Sequence, residues 1–195
     1  NPEYLYSLFN TDYLNSDLTD ESCRNEISLQ LQKFKTLNSK LNYLRNFKRR
    51  ETLKIGVKDI IFSTELLKTT EQLSILARAV NSELFYLCFN DTINKYNITE
   101  KSDRFCMVSL GKLGGNEINY SSDIDLMLFY DNNEIKENPG LTFFEVLSEA
   151  VLLFIKHSSE ITEKGYIFRV DFRLRPDGKN SPLCRTINDY MRYYE

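Results

Sequence analysis

The spacing of apolar residues changes near residue 103, and that change limits the folds open to the chain. Up to about residue 100 they recur every three or four positions, the period of an amphipathic helix; beyond it they alternate, the period of a strand. "TDESCRNEISLQLQKF" sets Ile27, Leu31 and Phe34 on one stripe, after acidic residues suited to a helix start. "LNSKLNYLRNFKRRETLKIGVKDIIF" continues with Leu37, Leu41, Leu44 and Phe47. A third helix is predicted from Thr69, whose spacing to Gln72 fits a capping box, and it carries Leu73, Leu76, Ala77, Val80, Leu84 and Leu87. Three such helices bury their stripes only against each other or a neighbour, so a helical bundle is expected over residues 1–102.

In 103–195 the runs "RFCMVSL" (104–110), "DIDLMLFY" (123–130) and "GYIFRVDFRLRP" (165–176) read as strands. "TFFEVLSEAVLLFIKH" (142–157) reads as a helix with Phe143, Phe144 and Phe154 in the core, and "RTINDYMRYYE" as the start of another. One glycine turn and one helix join these strands, so the fold class is α+β with a small mixed sheet.

Composition narrows the function. The net charge of −3 argues against broad electrostatic binding to nucleic acid. No apolar run approaches the ~20 residues that span a bilayer, and no signal-peptide pattern opens the chain, so neither nucleic acid nor membrane is an expected partner. The chain begins at Asn1 rather than Met and reads as a trimmed piece of something longer. Cys23, Cys88, Cys106 and Cys184 are scattered and His157 is the single histidine, which excludes the usual zinc spacings and any catalysis that needs a second histidine. Lone cysteines in apolar runs point to reduced thiols and a cytoplasmic protein, and the sequons at Asn90, Asn97 and Asn119 then carry no weight. His157, at a helix end, reads as a structural cation facing the helix dipole. The basic run Arg45, Lys48, Arg49, Arg50 and Lys54 reads first as a solvated helix face, with an anion or partner contact as the alternative.

The chemistry concentrates in "GKLGGNEINYSSDIDLMLFY" (111–130). Alternate side chains of a strand share a face, so Asp123 and Asp125 point the same way while Ile124, Leu126 and Leu128 face a core. The third strand places Arg169, Asp171, Arg173 and Arg175 on one face and Val170, Phe172 and Leu174 on the other. If the two strands are neighbours, three carboxylates converge between arginines. Such carboxylates raise one another's pKa unless cations balance them, and hard oxygen ligands suit Mg²⁺ or Mn²⁺. Two such ions ~4 Å apart stabilise both oxygens of an in-line phosphoryl displacement. The Gly114-Gly115 turn would let backbone amides approach phosphate, with Lys112, Ser121, Ser122, Arg173 and Arg175 as further phosphate partners. A solvated alternating face explains D-x-D alone, but not the whole order of glycine turn, serine, D-x-D, helix and Arg/Asp strand.

"LGKLGGNEINYSSDIDLMLFY" with "GYIFRVDFRLRPDGKNSPL" resembles the bifunctional glutamine synthetase adenylyltransferase/adenylyl-removing enzymes, of the DNA polymerase beta-like nucleotidyltransferase superfamily. "LRNFKRRETLKIGVKDI" and "EQLSILARAVNSELF" resemble that family's helical segment, so the likeness spans nearly the whole chain. The family carries two nucleotidyltransferase domains. The N-terminal one removes AMP from a tyrosine of glutamine synthetase by phosphorolysis, releasing ADP, and the C-terminal one adds AMP from ATP. "NEINYSSDIDL" and "RLRPDGKNSPL" look more like the N-terminal version. The resemblance implies Asp123, Asp125 and Asp171 as catalytic metal ligands, ATP, ADP and phosphate as substrates or products, and glutamine synthetase and the PII signalling protein as partners. ATP-dependent adenylylation and a non-catalytic nucleotide sensor are the alternatives. Ser109 and Ser181 stand where that family commonly has glycine.

Overall fold

The computed structural model describes residues 2–99, 104–132, 134–135 and 138–195; the expected boundary at 102/103 lies outside the described residues. Helices α1 (Pro2–Leu8), α2 (Thr11–Asn15), α3 (Asp20–Leu31), α4 (Leu37–Phe62) and α5 (Leu66–Lys95) come first. Strand β1 (Phe105–Ser109), the single turn α6 (Gly111–Gly114) and strand β2 (Ile124–Tyr130) follow. Helix α7 (Phe143–Ser159), strands β3 (Val170–Asp171) and β4 (Cys184–Thr186), and helix α8 (Ile187–Tyr194) complete the order. The class is α+β, a helical region followed by a mixed sheet.

Local chemistry sets the helix ends. Thr19 caps α3 in a reciprocal box with Ser22, and Thr36 accepts the Ser39 amide to start α4. Thr142 and Glu145 form the box that opens α7. The box expected at Thr69 and Gln72 is absent: α5 starts at Leu66, before both. Gln72 is buried instead, accepting the Leu18 amide at 2.6 Å and donating to the Leu18 carbonyl at 3.1 Å. An amide that satisfies both polar groups of a buried backbone residue is fixed by tertiary structure, which spacing along one helix does not report.

Strand β2 is the centre of the sheet. β1 lies antiparallel along one edge of it, with Phe105 opposite Tyr130 and Ser109 opposite Leu126. The other edge takes β3 in parallel at its start and β4 in parallel at its end. Ile124, Leu126, Leu128 and Tyr130 are buried on one face, while Asp125, Met127 and Phe129 are less covered on the other. The buried face meets α7 through Tyr130 and Phe143, 5.8 Å between ring centres, and α7 in turn packs on α5. Phe85 and Phe89 of α5 meet Phe105 of β1 at 5.3 and 4.9 Å between ring centres, and Phe85 meets Phe154 of α7 at 5.5 Å. One continuous apolar core therefore joins the helices to the sheet, running from Leu18 to Cys184. Phe143 and Phe154 are wholly buried and Phe144, partly buried, packs against the core, as the sequence implies.

Three further expectations need correction. The run 165–176 is paired only at Val170–Asp171. Before it, the Ile167 and Phe168 amides both donate to the Ser158 carbonyl, tying the chain to the end of α7. After it, the Arg173 amide turns back to Asp171 and the chain leaves the sheet. Alternation therefore fails at its end: Leu174 is exposed and Arg175 is buried.

The basic run is not a solvated face. Only Arg49 of its five cations is exposed; Arg45 and Lys54 are 1% and 3% exposed. Glu51 gathers Arg50, Lys54 and the Tyr13 hydroxyl at 2.6, 2.9 and 2.9 Å, and Arg45 reaches Glu160 at 3.0 Å. Lys48 lies over the rings of Tyr166 and Phe168. A carboxylate inside the bundle and acceptors beyond it turn these side chains inward.

His157 is in the last turn of α7 as expected, but it is not a dipole-facing cation. Burial holds its pKa below the usual histidine value, against the opposing pull of Glu160, so the ring is neutral at pH 7. Lys156 supplies the cation of that last turn.

Candidate active site

The two Asp-bearing segments are neighbours. Asp125 on β2 stands opposite Asp171 on β3 in parallel register, with Ile124 opposite Val170. Adjacent strands lie about 4.8 Å apart, and paired residues face the same way, so these two carboxylates sit side by side. Asp123 precedes the strand by one residue, and the Ile124 amide between the two aspartates donates to the Arg169 carbonyl at 2.8 Å.

Arginines hold two of the three carboxylates. Arg169 donates through Nε to Asp123 at 2.5 Å and through Nη2 to the Ser121 carbonyl at 3.0 Å. Arg173 donates to Asp171 from its backbone amide at 2.7 Å and from Nε at 2.6 Å, with a further ion pair through Nη2. Those bonds from Arg173 keep Asp171 below the usual carboxylate range. The Asp125 carboxylate has no hydrogen bond or ion pair among the described residues, while the backbone carbonyl of that residue accepts the Leu110 amide at 2.9 Å. Burial first, then the charges of Asp171 and Asp123, push its pKa up.

The remaining candidates divide. Lys112 is exposed on α6. Ser122 is tied locally: its hydroxyl accepts the Asn119 amide and donates to the Asn119 side chain, both at 2.9 Å. The Ser121 amide bonds to that same side chain. Gly114 and Gly115 do not present free amides, because these donate to the carbonyls of Leu110 and Gly111 at 3.0 and 3.2 Å to close α6. Gly114 is required for another reason: a Cβ there would lie 2.7 Å from the Ser109 carbonyl oxygen. Arg175 is also outside the phosphate-facing group. It is 7% exposed, and its guanidinium donates to the carbonyls of Phe172, Ser181 and Pro182 at 2.6 to 3.1 Å. Ser181 closes the same loop through its hydroxyl, bonded to the carbonyls of Pro176 and Gly178.

Gly111 was not singled out by the sequence. Its φ is +53°, and a Cβ there would meet the carboxylate of Asp125. The signal was a glycine directly after a strand, masked by the more conspicuous pair behind it. The helices position this turn. Arg78 of α5 bonds to both oxygens of Asp20 in α3, at 3.3 and 3.1 Å, and also to the side chain of Asn116. Tyr120 donates to Asp59 of α4 at 3.0 Å. The bundle thus anchors the loop that delivers Asp123.

As the side chains stand, no three His, Cys, Asp or Glu groups among the described residues are disposed to hold a metal ion. The donor chemistry nevertheless fits one. Three carboxylates supply hard oxygen donors, and the arginine ion pairs go to Asp123 and Asp171 rather than to Asp125. Oxygen donors beside two guanidinium groups form a set suited to phosphate chemistry.

The chain belongs to the glutamate-ammonia ligase adenylyltransferase family, whose model matches residues 1–195. It is 31% identical over 164 residues to the bifunctional glutamine synthetase adenylyltransferase/adenylyl-removing enzyme of Methylococcus capsulatus, covering 81% of this chain and 17% of that relative. The enzyme of the same name from Brucella suis is 34% identical over 161 residues, 78% of this chain and 16% of its own length. That of Bartonella quintana is 43% identical over 96 residues, 49% of this chain and 10% of its own length. The chain therefore spans about a sixth or less of these relatives.

Proposed function

We propose that the chain carries a nucleotidyltransferase site that removes AMP from an adenylylated tyrosine of glutamine synthetase. Inorganic phosphate attacks the adenylyl phosphorus; the phosphorus–tyrosine oxygen bond breaks; the products are ADP and the free tyrosine. The observation that carries this reading is the in-register pair Asp125 and Asp171 with Asp123 beside it, in a chain of this family. The relatives' names include both adenylylation and adenylyl removal, and "NEINYSSDIDL" and "RLRPDGKNSPL" favour removal by their resemblance.

Asp123, Asp125 and Asp171 would hold Mg²⁺ or Mn²⁺, which when bound supplies charge stabilisation for the reacting phosphoryl oxygens. Arg169 and Arg173 lie at the rim, placed to orient an anionic substrate. The leaving phenolate has a parent pKa near ~10, so positioning and electrostatics suffice and no covalent nucleophile is required. The same reading places the protein in the cytoplasm, with the PII signalling protein as a second partner. Among the described residues no helix is long and apolar enough to cross a membrane.

The test is incubation of the intact protein with adenylylated glutamine synthetase, Mg²⁺ and phosphate. ADP that forms only with phosphate supports removal. ATP consumption that ignores phosphate reverses the assigned direction, and nucleotide binding without turnover leaves a sensor.

A further inference from the structure

We infer that Arg169 and Arg173 are exchangeable counter-ions of the aspartate site: they hold Asp123 and Asp171 until a divalent cation binds, and then engage phosphate. The inference rests on the metal-binding reading above and assigns the two arginines a role in it.

Three features carry it. The arginines flank Asp171 two residues to either side, and each takes a different carboxylate. Neither forms an ion pair with Asp125, so three negative charges stand against two positive ones. Both arginine side chains also lie open to water, being 61% and 72% exposed. An ion pair so open to water is weak, and a divalent cation outcompetes it for the same oxygens. Arg175 is the contrast within the same ten residues: buried and fixed by backbone carbonyls, it cannot exchange. A released guanidinium keeps the planar fork that matches phosphate as well as carboxylate. Cation binding and phosphate binding are then coupled through these two side chains.

The experiment compares the wild-type protein, the Arg169→Gln/Arg173→Gln double variant and Asp125→Asn. Mn²⁺ affinity is followed by paramagnetic resonance of the free ion, and inorganic phosphate affinity by calorimetry with and without Mn²⁺. Both arginines are on the surface, so the double variant is expected to keep the wild-type circular dichroism spectrum. Without phosphate it should bind Mn²⁺ about two- to fivefold more tightly, the range such pairs supply. Mn²⁺ should no longer strengthen its phosphate binding. A general field effect would tighten Mn²⁺ but leave that coupling intact, and intact coupling overturns the inference. So does unchanged or weaker Mn²⁺ affinity. Loss of Mn²⁺ binding in Asp125→Asn shows that the metal reading stands even if the arginine result fails. Mn²⁺ binding indifferent to Asp125 removes both.

Discussion

Asp125 and Asp171 face each other across a parallel strand pair, and only Asp171 has an arginine. The difference splits their titration. Asp171 is held low and stabilises the fold at neutral pH, an effect lost as pH falls through its depressed value. Asp125 is raised, so its ionised form works against folding above its own pKa. Asp125→Asn should therefore raise the melting temperature at pH 7 by about 1–3 °C. The gain should shrink as pH falls through the raised value, where wild-type Asp125 takes up its own proton. Thermal melts across pH 3–8 check this; a gain that grows toward low pH contradicts it.

The two glycines of the turn should fail differently. Gly114→Ala drives a Cβ into the Ser109 backbone, which has nowhere to go, and should destabilise by about 1–3 kcal/mol. Gly111→Ala meets instead the mobile end of Asp125, at a left-handed φ. It should lose some stability through that φ, but Mn²⁺ affinity far more than Gly114→Ala does. Urea midpoints and Mn²⁺ titrations on both variants separate the two.

Arg175 is structural in this account. Arg175→Ala removes the guanidinium donor from three backbone carbonyls, that of Ser181 bonded twice, and should lower stability by about 3 kcal/mol or more. Arg175→Lys cannot reproduce the fork and should recover less than half of that. A variant with wild-type urea midpoint but weakened phosphate binding would return Arg175 to the ligand site.

The basic run makes a separate prediction in the bundle. Lys54→Met removes one partner of the buried Glu51 and should destabilise by about 2–3 kcal/mol, less than a full buried pair because Arg50 remains. Pairing it with Glu51→Leu should recover part of the loss. Chemical denaturation of both variants measures it, and additive losses would contradict the coupling.

Much of this was legible in the chain. The change of period located the helices and the sheet, and alternation through "DIDLMLFY" put the aspartates opposite the core. What stayed hidden depends on contacts distant in sequence. Gln72 looked like a cap because its partner, Leu18, lies 54 residues away. The basic run looked solvated because Glu51 is itself buried among the charges it holds. Strand alternation assigned Arg175 a face that the turn after Asp171 removes. Gly111 was unremarked because its neighbour, the Asp125 carboxylate, comes close only after the hairpin forms.

The most direct test of the central claim is phosphate-dependent ADP release from adenylylated glutamine synthetase, measured for wild-type protein and for Asp171→Asn with an unchanged circular dichroism spectrum. The account expects Mg²⁺-dependent release from the wild type and a loss of at least about a hundredfold in the variant, the scale of a lost electrostatic contribution to the transition state. Turnover by Asp171→Asn within a few-fold of wild type would contradict the aspartate site.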